Sequence, residues 1–104
     1  MHVIADLCLV PLGVGVSVSE YVAACQRIFE EAGLAPRMHA YGTNVEGEWD
    51  QVFGAIRRCH EEVHGMGVPR ISCTLKFGTR TDRMQSRADK VASVQAKLAD
   101  GGGE

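Results

Sequence analysis

A chain of 104 residues holds one hydrophobic core and not two, since a domain of this size buries roughly two thirds of its unfolded surface. With 45% hydrophobic, 23% charged and 6% aromatic residues and a formal net charge of -2, the balance is that of an ordinary globular domain, without a general attraction to nucleic acid or anionic membrane. No apolar run reaches the length of a membrane span, and the first apolar stretch, Met1 to Asp6, lacks a basic lead and carries a carboxylate; the pattern predicts a cytoplasmic protein without a signal peptide.

The first predicted element is a strand from His2 to Leu12, with Val3, Ala5, Leu7 and Leu9 on one face and Ile4, Asp6, Cys8 and Val10 on the other. Pro11 and Gly13 end it. Ser17-Val18-Ser19-Glu20 has capping-box spacing, in which a serine hydroxyl and a glutamate carboxylate satisfy backbone donors at a helix start. Tyr21, Val22, Cys25, Ile28, Phe29 and Ala32 then mark a helical face that Gly33 closes. Pro36 to Tyr41 reads as a second strand, Gly42-Thr43-Asn44 as its turn and Thr43 to Gly47 as a short third strand. A second helix is predicted from Glu48 to about Met66, with Trp49, Val52, Phe53, Ile56, His60 and Val63 inward. Arg70 to Phe77 alternates as a fourth strand. Asp82 caps a third helix running to about Ala99, and residues 101–104 are expected to form a disordered tail after a single domain of residues 1–100.

The order β-α-β-β-α-β plus a C-terminal helix predicts an α+β fold, a ferredoxin-like βαββαβ sandwich. Both main helices then cover one sheet face. The other face carries Ile4, Asp6, Cys8 and Val10 beside Ser72, Thr74 and Lys76, and such a face predicts a covering subunit. Asp6 and Lys76 fall on neighbouring strands, where a structural ion pair and a ligand role both stand open.

Cys8, Cys25, Cys59 and Cys73 are widely spaced, contain no CxxC pair and lie in apolar periodic segments; they read as reduced structural thiols. His60-Glu61-Glu62-Val63-His64 matches the HExxH zinc pattern, but His60 belongs to an apolar face and no third ligand follows, so no metal is expected. Gly13-Val14-Gly15 is a flexible turn rather than a dinucleotide loop, because a lone GxG lacks the rest of the fingerprint. Arg80, Arg83, Arg87 and Lys90, interleaved with Asp82 and Asp89, form a solvated face without the aromatic platform of a nucleic-acid binder. Arg80, between Thr79 and Thr81, is set apart as a candidate anion or ligand contact. Trp49 is read as a core anchor or as the wall of a pocket. The four histidines lie on strand or helix faces without an evident partner, and no nucleophile stands beside a base.

Two polar signatures remain: Gly42-Thr43-Asn44-Val45-Glu46-Gly47 with Trp49-Asp50, and Lys76-Phe77-Gly78-Thr79-Arg80-Thr81-Asp82. Each lies where a strand gives way, and together they suggest one site in two pieces. With Asp6 in a first strand ending Val10-Pro11-Leu12-Gly13, they make the chain resemble the small thiamine-binding-protein family from about Val3 to Leu98. The resemblance implies a ferredoxin-like subunit assembling as a dimer of dimers, a homotetramer. It further implies cytosolic, non-catalytic binding of thiamine or its hydroxymethylpyrimidine half, with no cofactor, by a carrier, buffer or sensor. Thr43 and Glu46 are the strongest site candidates by motif position, followed by Asp6, Trp49, Lys76 and Arg80. A cationic thiazolium and an aminopyrimidine call for a carboxylate, hydroxyls and an apolar wall. Lys76 and Arg80 point instead toward an anion. The alternative is an enzyme or regulatory subunit acting on a small phosphorylated heteroaromatic ligand, with Glu46 or Asp6 as acid or base.

Overall fold

Alternation in the first strand decides the layering. In the computed structural model, which describes residues 1–15, 17–81 and 87–101, β1 (His2–Leu12) buries Val3, Ala5 and Leu7 while Ile4, Asp6 and Cys8 are half-exposed. The chain continues through α1 (Ser19–Glu31), β2 (Arg37–His39), β3 (Gly42–Glu48), α2 (Trp49–Gly65), β4 (Arg70–Thr79) and α3 (Arg87–Gly101). The strands form one antiparallel sheet in the order β2-β3-β1-β4. This is the expected ferredoxin-like arrangement, with β1 and β3 central and an additional C-terminal helix.

The core lies between one sheet face and the two main helices. Phe29 and Ile28 of α1, and Val52, Ile56, Cys59 and Val63 of α2, close over Val3, Ala5, Leu7 and Val45. Gly33, at φ +73°, ends α1 in a Schellman turn: the Gly33 N–H donates to the Glu30 carbonyl and the Leu34 N–H to the Phe29 carbonyl, at 3.0 and 3.1 Å. Leu34 and Phe29 are both buried, which supplies the apolar contact of that motif.

Several local expectations are corrected. The first turn of α1 closes on the Val18 carbonyl, which accepts from Tyr21 and Val22 N–H at 3.1 Å each, and no side chain caps it; Ser17 stands one residue too early. Ala24 is buried where Val22 and Ala32 are only half-buried. The β2–β3 turn is Ala40-Tyr41, and Gly42, Thr43 and Asn44 belong to β3, with His39 opposite Gly42. Gly42 is needed inside the strand because a Cβ there would stand 2.6 Å from the Leu7 carbonyl oxygen. On α2, Cys59 rather than His60 takes the fully buried position. Trp49, 39% exposed, lies at the rim of the core against Phe53 and Phe77, with ring centroids 4.6 and 5.7 Å away. β4 extends two residues past Phe77 to Thr79, and α3 reaches Gly101. The expected Asp82 cap and the tail beyond Gly101 fall outside the described residues.

Candidate functional site

Antiparallel register assigns every candidate to a face, because residues directly opposite one another share it. Asp6 pairs with Asn44 on one side and Lys76 on the other, and Ile4 pairs with Glu46 and Gly78. Arg37 continues the row beyond Asn44. Asp6, Asn44, Glu46 and Lys76 therefore all project from the face that the main helices leave open. Thr43 pairs with Leu7 and Met38, faces the helices and is buried.

The expected site consequently divides. Asp6, Lys76 and Arg80 line one open-face cleft of about 470 Å³, with His2, Ile4, Asn44 and Gly78 beside them and Lys90 reaching in from α3. Glu46 joins its margin through His2, whose Nε2 lies 3.2 Å from Glu46 Oε2, both side chains being mostly buried. Thr43 lines a separate, more apolar cavity of about 450 Å³ with Val22, Cys25, Phe29, Met38 and Tyr41. Trp49 lines neither of these two cavities. Thr43 and Glu46 are three residues apart in a strand, and a period of two puts them on opposite faces.

The carboxylates are oriented by histidines that the sequence left without partners. His39 Nε2 donates to Asp6 Oδ1 at 2.6 Å. Its Nδ1 accepts the Tyr41 backbone N–H at 3.2 Å, so the β2–β3 turn fixes the tautomer that aims a proton at Asp6. Asp6 thus turns toward β2 and makes no ion pair with Lys76, although the two are in register. His64 Nδ1 donates to the Val68 carbonyl at 2.7 Å, tying the exit of α2. Among the described residues no three His, Cys, Asp or Glu side chains form a group suited to a metal ion.

Ile4 gives the cleft an apolar floor, and polar groups from three adjacent strands surround it. Such a surface binds a small flat polar molecule by burying one ring face and pairing its edges. His2, Asn44 and Lys90 were missed as site residues. Asn44 was legible in principle, two positions before Glu46 in a period-two strand, had the turn been placed correctly.

The family model described as thiamine-binding protein matches residues 5–95. The chain belongs to the thiamine-binding protein family. Among its relatives, the UPF0045 protein sll0230 of Synechocystis sp. is 62% identical over 98 residues, covering 94% of this chain and 81% of the relative. The UPF0045 protein ECM15 of Eremothecium gossypii is 43% identical, covering 96% of each chain. Among solved structures, hypothetical protein MJ1052 of Methanocaldococcus jannaschii superposes with a TM-score of 0.83 at 31% identity, covering 90% of this chain and 96% of that one. A Thermotoga maritima protein provisionally assigned to thiamine biosynthesis or salvage superposes with a TM-score of 0.76. It is 15% identical and covers 90% of this chain and 99% of its own, a likeness that speaks for the fold alone.

Proposed function

We propose that the protein binds thiamine or a related hydroxymethylpyrimidine compound without transforming it, as a cytoplasmic homo-oligomer, a dimer of dimers, acting as carrier, buffer or sensor. The observation that carries this reading is the convergence of Asp6, Asn44, Lys76 and Arg80 on one open-face cleft, in a chain of the thiamine-binding family. The pyrimidine ring rests on Ile4. Asp6 accepts from the exocyclic amino group, and Asn44 offers both a donor and an acceptor to the ring edge. Glu46, held by His2, supplies a second carboxylate at the margin for the thiazolium charge. An enzyme reading finds less support, since both carboxylates are engaged by histidines.

A thermal-shift titration tests the proposal. Ligand at about a hundred times its dissociation constant raises stability by roughly 2.7 kcal/mol, which moves the melting point by several degrees. Thiamine or hydroxymethylpyrimidine should produce that shift, Asp6→Asn should reduce it and Thr43→Val should not. A shift that depends on Thr43 and ignores Asp6 moves the site to the opposite sheet face. No shift with any of these compounds removes the binding reading, and turnover of bound ligand in a mass-spectrometric time course replaces it with the enzyme.

A further inference from the structure

The open-face cleft gathers lysines from two elements. Lys76 enters from β4 and Lys90 from α3, and neither makes an ion pair among the described residues. The carboxylate in register with Lys76 is Asp6, and that group is committed to His39 at 2.6 Å. Arg80 lines the same cleft just beyond the end of β4. In a chain of net charge -2, two lysines from separate elements, unpaired among the described residues, give one concavity a local positive field. A phosphate monoester answers it: its oxygens accept from lysine ammonium groups as point charges and from a guanidinium as a planar fork.

Gly78 makes the room. It lies opposite Ile4 on the open face, and a Cβ built on it meets no atom within 4 Å. The fold does not require a glycine there, since Gly78 is not among the glycines at positive φ. Its bare backbone keeps the cleft open between the apolar floor and the cations.

Resting on the reading that this cleft binds a thiamine-type pyrimidine, we infer that its preferred ligand is the phosphate monoester, with the phosphate held among Lys76, Arg80 and Lys90 above Gly78 and the ring on Ile4 toward Asp6. The cleft thereby distinguishes phosphorylated from free compounds, and a buffer or sensor built on it reports the phosphorylated pool.

Isothermal titration of the full chain with thiamine, thiamine monophosphate, hydroxymethylpyrimidine, its monophosphate and inorganic phosphate tests this. Each monoester should bind at least about tenfold tighter than its alcohol, the gain expected of charge-assisted hydrogen bonds, with a preference that shrinks as salt rises. Lys76→Gln and Lys90→Gln should each reduce that preference severalfold, weakening the monoesters far more than the alcohols. Gly78→Val should abolish binding of both forms at an unaltered melting point. Alcohols that bind as tightly as their monoesters overturn the inference and leave the proposed function standing. A preference that survives the double substitution of both lysines overturns it as well. Inorganic phosphate matching the monoesters reduces the cleft to a plain anion site, and failure of every pyrimidine compound, phosphorylated or free, removes inference and function together.

Discussion

At the residue scale, two glycines on one sheet face do opposite work. Gly42 and Gly78 both lie in strands, yet a Cβ on Gly42 would stand 2.6 Å from a backbone carbonyl oxygen of Leu7, whereas one on Gly78 meets nothing within 4 Å. Backbone cannot swing aside as a side chain can, so Gly42→Ala must push β3 away from β1. That displacement also disturbs the His39–Asp6 hydrogen bond, which spans the same place. We expect Gly42→Ala to cost about 1–3 kcal/mol, the usual range for overpacking, and Gly78→Ala to stay within about 0.5 kcal/mol. Urea denaturation of the two variants beside the parent chain checks both; equal stabilities would mean that β3 yields at Gly42 without strain.

At the element scale, the seam between α1 and α2 is closed by a thiol pair. Cys59 is fully buried, and its Sγ lies 3.9 Å from the Cys25 carbonyl oxygen. Side-chain hydrogen bonding between the two thiols, reinforced by burial, pushes the Cys59 thiol far up, and the same thiol–thiol contact holds Cys25 low. Burial also raises Cys73. An unfolded thiol ionises near about pH 8.5, whereas Cys59 keeps its proton in the folded chain. Above that pH the unfolded state therefore binds fewer protons. The stabilisation is complete below it and is lost as pH rises, by up to about 1.4 kcal/mol per pH unit for each such thiol. Cys25 works in the opposite sense, while Cys73 adds to the loss. Urea midpoints under reducing conditions should fall between pH 8 and pH 10, and Cys59→Ala, though less stable at neutral pH, should fall less steeply. Much of this packing was legible in the sequence. Spacing of three and four placed Cys25, Ile28 and Phe29 together, and alternation placed Asp6 on the open face. The β2–β3 turn was not, because Gly42 resembles a turn glycine until the neighbouring strand is known, and what excludes a side chain there is the Leu7 carbonyl. That displaced turn concealed the register bringing Asn44, His39 and Asp6 together, and with it the separation of Thr43 from Glu46.

At the scale of the whole molecule, α3 stands apart. The radius of gyration is 16.0 Å, against about 13 Å for a compact chain of about this length, and the longest extent is 52 Å across a body otherwise 28 by 19 Å. Val91, Val94 and Leu98 are 53, 57 and 69% exposed, and their spacing of three and four sets them along one side of the helix. The open sheet face adds a 41% exposed Val10 beside half-exposed Ile4 and Cys8. Two apolar surfaces that a single copy leaves uncovered are what the proposed homo-oligomer would bury. Light scattering at micromolar concentration should give the mass of a tetramer. Leu98→Glu places a charge in the stripe without touching the core, so it should yield smaller species with an unchanged circular dichroism spectrum. A monomeric parent chain would remove the assembly, and a tetrameric Leu98→Glu variant would remove α3 from its interfaces. Lys90 belongs to the same helix and lines the cleft, so a helix released from its seat no longer holds that cation in place. Dissociation of the Leu98→Glu variant should therefore weaken monoester binding while sparing the free pyrimidine, making occupancy of the cleft and assembly of the subunits depend on one helix.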